Sequence, residues 1–250
     1  MFSRIIFIWI LIFSGWLSAN ESTARSEWVI VTGPDFPPYT DPDYPSGGLL
    51  VKLIDMVMVK VEGEYSLKWL PWRRGYLETI EGKYIATFPY VHTPERAEHL
   101  LYSELIIGVE ERLFIRADDH RDYHQFEQFE KVTGCKPIGY NVNAVQDFLD
   151  SASLEILWAD KLETCFLLLS QGRVDLVDMD KYVGYASIKK AGLPTGDFKI
   201  HERILLTQTM HLLVSKEHPK GNAFLKRFNA SLHEVRQSNA YQSLLKEYLE

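Results

Sequence analysis

Short runs of β-branched and aromatic residues alternate with segments of helical periodicity along most of this 250-residue chain. The first run, 28–32, ends at Gly33-Pro34, and the stretch from 47 to about 61 places apolar residues at intervals of three and four. Further strands are predicted at 65–70, 85–88, 105–115, 137–140, 154–158 and 174–177, and further helices at 72–80, 144–150, 162–170, 182–190 and 219–250. Because strands and helices alternate, we predict an α/β fold with largely parallel sheets.

Two apolar runs are longer than the other predicted strands. The first, 105–115, carries Glu110, Glu111 and Arg112 near its middle, and the second spans 205–214. A strand too long for one small sheet, with a polar centre, is expected to cross between two lobes. The strand–helix alternation restarts after the first of these runs, which agrees with a second lobe.

The first 19 residues have the order of a secretory signal peptide. Arg4 precedes an almost wholly apolar run, 5–17, and small and polar residues follow at once. The apolar run is shorter than the roughly 18 to 20 residues that span a bilayer, although a retained membrane anchor stays open. We predict cleavage after Ala19, with Ala24 as the alternative.

Two cysteines, Cys135 and Cys165, are the whole thiol content of the chain. An exported protein meets an oxidising compartment, where an even number of cysteines favours pairing. We predict a Cys135–Cys165 disulfide, and the alternative is two buried free thiols.

The charge and the motifs exclude several function classes. The net charge is −7 and no basic stripe is present, so nucleic acid is not an expected partner. Neither a glycine-rich phosphate loop nor a Gly-x-Ser-x-Gly motif occurs, and no cofactor is expected. His120 and His124 have a spacing that can bind a metal, but a solvated polar loop is the favoured interpretation, and no metal site is predicted.

A set of motifs in a fixed order resembles the family-3 bacterial solute-binding proteins over essentially all of the chain after residue 26. The motifs are Gly33-Pro-Asp-Phe-Pro-Pro-Tyr39, Gly47-Gly-Leu-Leu50, Leu70-Pro-Trp-Arg-Arg-Gly-Tyr76, Thr93-Pro-Glu-Arg96, Leu101-Tyr-Ser103, Gly172-Arg-Val-Asp175 and Asp180. The resemblance implies a type II periplasmic-binding fold, in which two lobes are joined by a hinge of two crossing strands. Lobe 1 would comprise 27–111 and 206–250, and lobe 2 would comprise 112–205.

The same resemblance implies a ligand site between the lobes. Arg96 matches the arginine that clamps a ligand carboxylate, for which a guanidinium fork is well suited. The alternative is a surface arginine beside a neighbouring glutamate. Asp180 matches the carboxylate that receives a ligand ammonium, and it is also a candidate helix N-cap. Phe36, Tyr39 and Trp72 would form the aromatic side of the cleft, with a core role as the alternative.

Two departures from the family pattern concern the ligand. The stretch 140–144 stands where the family often has a Gly-Thr-Thr turn, so Asn141 or Asn143 would take over its contacts, and Asn143 is our candidate. Ile85 stands where an acidic residue is usual. A modified amino acid, a short peptide or another small acid therefore stays open beside a plain amino acid.

The function implied is periplasmic binding of a small polar solute by a monomer that delivers it to the membrane permease of an ABC importer. Two alternatives remain open. In the first, a membrane sensor protein recognises the closed form of the two lobes. In the second, the chain is a dehydratase-like enzyme, as a few relatives with this fold are.

Overall fold

The computed structural model describes residues 27–61, 63–123, 131–138, 140, 142–151 and 153–249. The predicted signal peptide, His124 and Asn141 lie outside the described residues. Strands are β1 (Glu27–Thr32), β2 (Glu64–Trp69), β3 (Ala86–Val91), β4 (Leu100–Tyr102), β5 (Ile107–Arg116), β6 (Val132–Pro137), β7 (Leu154–Ala159), β8 (Val177–Asp180) and β9 (Phe198–Ser215). Helices are α1 (Leu49–Met58), α2 (Trp72–Ile80), α3 (Pro94–His99), α4 (Gln146–Asp150), α5 (Leu162–Ser170), α6 (Lys181–Lys190), α7 (Gly221–Arg236) and α8 (Asn239–Leu249).

The first three strands form a sheet in which β1 pairs parallel with β2 and β3, and β9 from the second half of the chain pairs antiparallel with β3. Helix α1 packs on this sheet because its apolar residues recur on one face, and they are buried together with Phe224 and Phe228 of α7. Gly48 precedes α1 with φ +101°, and a Cβ there would lie 2.5 Å from the carbonyl oxygen of Tyr39. Glycine at this position therefore lets the loop after β1 approach the start of α1 closely.

The second half of the chain contains a parallel pair, β6 and β7. A bridge between Gly134 and Leu176 links β6 to the segment that leads into β8. Cys135 on β6 and Cys165 on α5 are both buried and form a disulfide, with their Cα atoms 5.3 Å apart. The predicted disulfide is confirmed.

Strands β5 and β9 are the longest strands described and run antiparallel to each other. Their pairing extends from Ile107 opposite Met210 to Arg116 opposite Phe198. The register shifts between Glu111 and Arg112, inside the polar centre noted in the sequence. These are the two crossing strands, and β5 also pairs with β8. The lobe boundaries at 111/112 and 205/206 stay a prediction, and the names lobe 1 and lobe 2 are used below in that sense.

Several predicted elements are displaced in the structure. The strand predicted at 137–140 ends at Pro137 instead, since Gly134 and Lys136 weaken the β signal of β6. The strand predicted at 174–177 is observed at Val177–Asp180 instead. Asp178 and Asp180 make this segment a weak strand signal, because aspartate is depleted in strands. The helix predicted at 219–250 is two helices, and Ser238 lies at the break, where its hydroxyl oxygen accepts a hydrogen bond from the Tyr241 amide at 3.2 Å. Helix α3 and strand β4 had no predicted counterpart.

Within the described ranges, no helix is long and apolar enough to cross a membrane. The same residues contain no group of three or more potential metal ligands.

Candidate functional site

The loop after β1 is held in a compact turn by its own backbone. The amide of Phe36 donates to the carbonyl oxygen of Thr40 at 2.9 Å, and the amide of Thr40 donates back to Phe36 at 2.9 Å. Tyr39 is buried within this turn, whereas Phe36 keeps part of its surface. The turn thus places the Phe36 ring against Trp72 of α2 and the Tyr39 hydroxyl against Asp180 of β8.

Four aromatic residues, which we call the aromatic wall, form a continuous series of ring contacts. The Phe36 ring centroid lies 5.2 Å from that of Tyr39 and 6.4 Å from that of Trp72. Trp72 in turn meets Tyr90 edge-on at 5.9 Å. Edge-on and tilted contacts at these distances are favourable for aromatic rings.

The orientation of Trp72 is fixed from two sides. Its indole nitrogen donates to the carbonyl oxygen of Pro34 at 2.9 Å. Its ring lies over Gly33, where a Cβ would come within 2.1 Å of the ring atoms. Only glycine at position 33 leaves space for the indole in this position.

Arg96 lies at the end of the aromatic wall, on α3. Thr93 caps this helix by accepting a hydrogen bond from the Arg96 amide at 3.2 Å. The guanidinium carbon lies 5.1 Å from the Tyr90 ring centroid and 5.9 Å from that of Tyr76, and Nη1 donates to the carbonyl oxygen of Val91 at 2.9 Å. These contacts orient the guanidinium by stacking and by one hydrogen bond.

The charge of Arg96 is not neutralised by its neighbours in the chain. Within the described residues, neither Glu95 nor Glu98 forms a salt bridge with it, and its side chain is half-buried rather than fully exposed. A fork of guanidinium N–H groups therefore remains for an anionic partner.

Asp180 lies at the carboxyl end of β8 and caps α6. Its Oδ1 accepts hydrogen bonds from the amides of Tyr182 and Val183, at 3.0 and 3.1 Å. The predicted N-cap role is therefore confirmed. The hydroxyl of Tyr39 donates to the same oxygen at 3.1 Å. Burial raises the pKa of Asp180, and the hydrogen bonds that it accepts oppose that shift.

The bond between Tyr39 and Asp180 joins lobe 1 to lobe 2. Burial and the charge of Asp180 both raise the pKa of Tyr39, so the phenol remains protonated and is the donor. Phe36, Tyr39, Trp72, Arg96 and Asp180 therefore belong to one continuous series of contacts.

A second set of contacts between the lobes involves charges. Lys190 Nζ lies 3.5 Å from an oxygen of Asp41 and 3.6 Å from one of Asp35, both in the loop after β1. It also lies 3.5 Å from Glu163 on α5. Sequence reasoning missed these residues, because a lysine in the last turn of a helix and aspartates in a loop are common on any surface.

The segment after β6 approaches this charged region. Burial, then the charges of Asp35 and Glu163, raise the pKa of Tyr140 to about 12. Asn143 begins a 3₁₀ turn at Asn143–Val145 and is exposed, and it is not part of the series that joins Arg96 to Asp180. The structure thus brings five of the six predicted site residues together.

Comparison with solved structures identifies the fold. An ancestral arginine-binding protein bound to arginine superimposes with a TM-score of 0.73, at 19% identity over 91% of this chain and 100% of that one. The chain has the periplasmic binding protein fold. A mutant of ArgBP from T. maritima gives a TM-score of 0.69 at 21% identity, over 89% of this chain and 94% of the other. A histidine kinase sensor domain with similarity to periplasmic binding proteins gives 0.72 at 16% identity, over 90% and 97% of the two chains.

No family model and no curated protein sequence matches the chain. Structural likeness at this level of identity establishes the two-lobed fold and its hinge. It leaves the ligand to be argued from the site.

Proposed function

We propose that this protein binds a small carboxylate-bearing solute, an amino acid or a close relative, in the cleft between its two lobes. The observation that carries the proposal is the continuous series of contacts from Arg96 through the aromatic wall to Asp180. It starts in lobe 1 at an arginine with free N–H groups and ends at a buried carboxylate in lobe 2. A zwitterion needs these two opposite charges at its two ends.

Each residue of the site has a proposed role. Arg96 receives the ligand carboxylate, and Asp180 receives its ammonium while it caps α6. Phe36, Tyr39 and Trp72 enclose the apolar part of the ligand, and Asn143 contacts it from lobe 2. The hinge strands β5 and β9 let the lobes close on the ligand, and the bond between Tyr39 and Asp180 stabilises the closed form.

The proposed cellular role is delivery of the solute to the membrane permease of an ABC importer. It assumes export to the periplasm, removal of the signal peptide and a monomeric state, and it includes no catalytic step. The arginine-binding neighbours support this role. The likeness to a histidine kinase sensor domain favours a second candidate, in which a separate membrane sensor reads the closed clamp.

A thermal-shift screen of the purified protein against amino acids, short peptides and small organic acids tests the proposal. A ligand at 100 times its dissociation constant adds about 2.7 kcal/mol to the free energy of unfolding, which is a clear shift in melting temperature. A ligand recovered unchanged after incubation supports binding, and its conversion would contradict it. Failure of every carboxylate-bearing compound to shift the melting temperature would also refute the proposal.

A further inference from the structure

Three charged residues that the proposed site does not use form a buried ionic cluster on strands β5, β6 and β8. Lys136 Nζ lies 2.9 Å from Asp178 Oδ2 and 3.5 Å from Glu111 Oε2. Lys136 is 1% exposed, Asp178 is fully buried and Glu111 is 9% exposed. Charged side chains are almost never buried to this degree unless they are paired.

The strand registers explain why these residues meet. Gly134 on β6 is bridged to Leu176, so Lys136 stands beside Asp178 two residues further along the parallel strands. Glu111 on β5 is opposite Asp180, and is therefore a diagonal neighbour of Asp178 on the same face. One face of three adjacent strands thus carries all three charges.

The ionic cluster lies at the boundary between the two lobes, with Glu111 in lobe 1 and Lys136 and Asp178 in lobe 2. Glu111 is opposite Asp180 in the β5–β8 register, and Asp180 accepts a hydrogen bond from the hydroxyl of Tyr39 in lobe 1. Lys136 is one residue from the end of β6, and Tyr140 just beyond it is influenced by Asp35 of lobe 1. Ligands of parallel α/β sheets bind beyond the carboxyl ends of the strands, and Lys136 and Asp180 lie at such ends of β6 and β8.

The ionic cluster has one positive and two negative side chains. The single ammonium of Lys136 serves both carboxyl groups, at 2.9 Å from Asp178 Oδ2 and 3.5 Å from Glu111 Oε2. Gln208 donates to the other oxygen of Glu111. Lys136 is closest to Asp178, so the uncompensated negative charge is greatest at Glu111. Burial raises the pKa of both carboxyl groups and Lys136 opposes both shifts, while the charge of Asp178 raises the pKa of Glu111 further.

We propose that Glu111, supported by Lys136 and Asp178, receives a second cationic group of the ligand, and that the ligand is a basic amino acid. This inference rests on the proposed function. The carboxylate and α-ammonium of such a ligand use Arg96 and Asp180, and its side-chain ammonium or guanidinium supplies the positive charge that the ionic cluster lacks. A neutral amino acid of the same shape would leave Glu111 with only the Lys136 ammonium that it shares with Asp178 in a closed cleft.

Calorimetric titration with charged and neutral ligands of matched shape tests the inference. Arginine and citrulline form one pair, and lysine and norleucine form another. We expect the protein to bind at least one basic member about 100-fold more tightly than its neutral partner. Glu111→Gln should reduce that preference below about tenfold by weakening only the basic ligand, while Glu111→Asp should retain part of it.

Glu110→Gln is the matched control, because Glu110 directly precedes Glu111 on β5 but has a half-exposed side chain. Its Oε2 lies 2.7 Å from Nη2 of Arg112. It should leave the preference unchanged. Equal binding of the two members of each pair, or a preference that survives Glu111→Gln, would overturn the inference. If neutral amino acids bind and Arg96→Ala abolishes their binding, the proposed function stands and this inference alone fails. If no amino acid binds, both fail.

Discussion

Replacing Lys136 with methionine removes the positive charge of the ionic cluster while it keeps a side chain of similar length. The lysine side chain is 2% exposed, and the side chain of Asp178 beside it is fully buried. Removing one partner of a buried ion pair leaves the other charge uncompensated and costs about 3–5 kcal/mol. For a chain of this size, 1 kcal/mol corresponds to roughly 2–4 °C in melting temperature, so we expect a decrease of about 10 °C.

The assay is urea denaturation of the parent and variant, with Lys131→Met as the matched control. Lys131 pairs with Glu155 at 3.1 Å, but both side chains are mostly exposed, and such pairs contribute little. The control should therefore change the free energy of unfolding by less than about 0.5 kcal/mol. The double variant in which Asp178 is also replaced by leucine should recover much of the lost stability, since it leaves fewer buried charges.

The pH dependence of the Lys136→Met deficit gives a second test. Burial raises the pKa of Asp178 and Glu111, and the nearby ammonium opposes that shift. Without the ammonium, the folded-state pKa of both groups rises further above the unfolded value. The folded state then binds more protons, so the deficit should be large at pH 8 and smaller at pH 5. A deficit below about 1 kcal/mol at pH 8, or one that grows as the pH falls, would refute the reasoning.

Three further predictions follow from the fold and the site. The Cys135–Cys165 disulfide links residues that are 30 positions apart, and reducing it should lower the free energy of unfolding by about 3.6 kcal/mol. A melting curve that a reductant leaves unchanged would contradict this prediction. Tyr39→Phe should weaken ligand affinity roughly tenfold, because the closed form loses a hydrogen bond to a carboxylate, and calorimetry showing unchanged affinity would argue against a role in closure. Gly33→Ala should displace the indole of the aromatic wall and weaken binding by more than about tenfold, since the new Cβ would lie 2.1 Å from its ring. Gly108→Ala, with no atom within 4 Å of the new Cβ, is the control and should bind like the parent.

The parts of the site that the sequence predicted are those with local signals. Arg96 follows Thr93 and Pro94 at the start of a helix, and the loop after β1 is recognisable from its prolines and aromatic residues. The two cysteines predicted their own pairing because the chain has no others. These features depend on short segments, so a single sequence reveals them.

The ionic cluster could not be predicted in the same way. The sequence Val177-Asp178-Met179-Asp180 alternates like a strand with one solvent-exposed face, yet both aspartates are buried. Their environment depends on the register between β6 and β8, which are more than forty residues apart along the chain. Lys190 shows the same limitation, because its partners in the loop after β1 become neighbours only when the two lobes meet.

Calorimetric titration of a ligand found in the screen, against the parent, Arg96→Ala, Arg96→Lys and Arg73→Ala, tests the proposed function most directly. Arg73 is an exposed arginine in the same lobe, and its replacement should leave the affinity unchanged. Arg96→Ala should weaken binding by about 2–5 kcal/mol, and Arg96→Lys should restore only part of that loss, because the planar fork of donors is missing. Binding to Arg96→Ala as tight as to the parent would contradict the account.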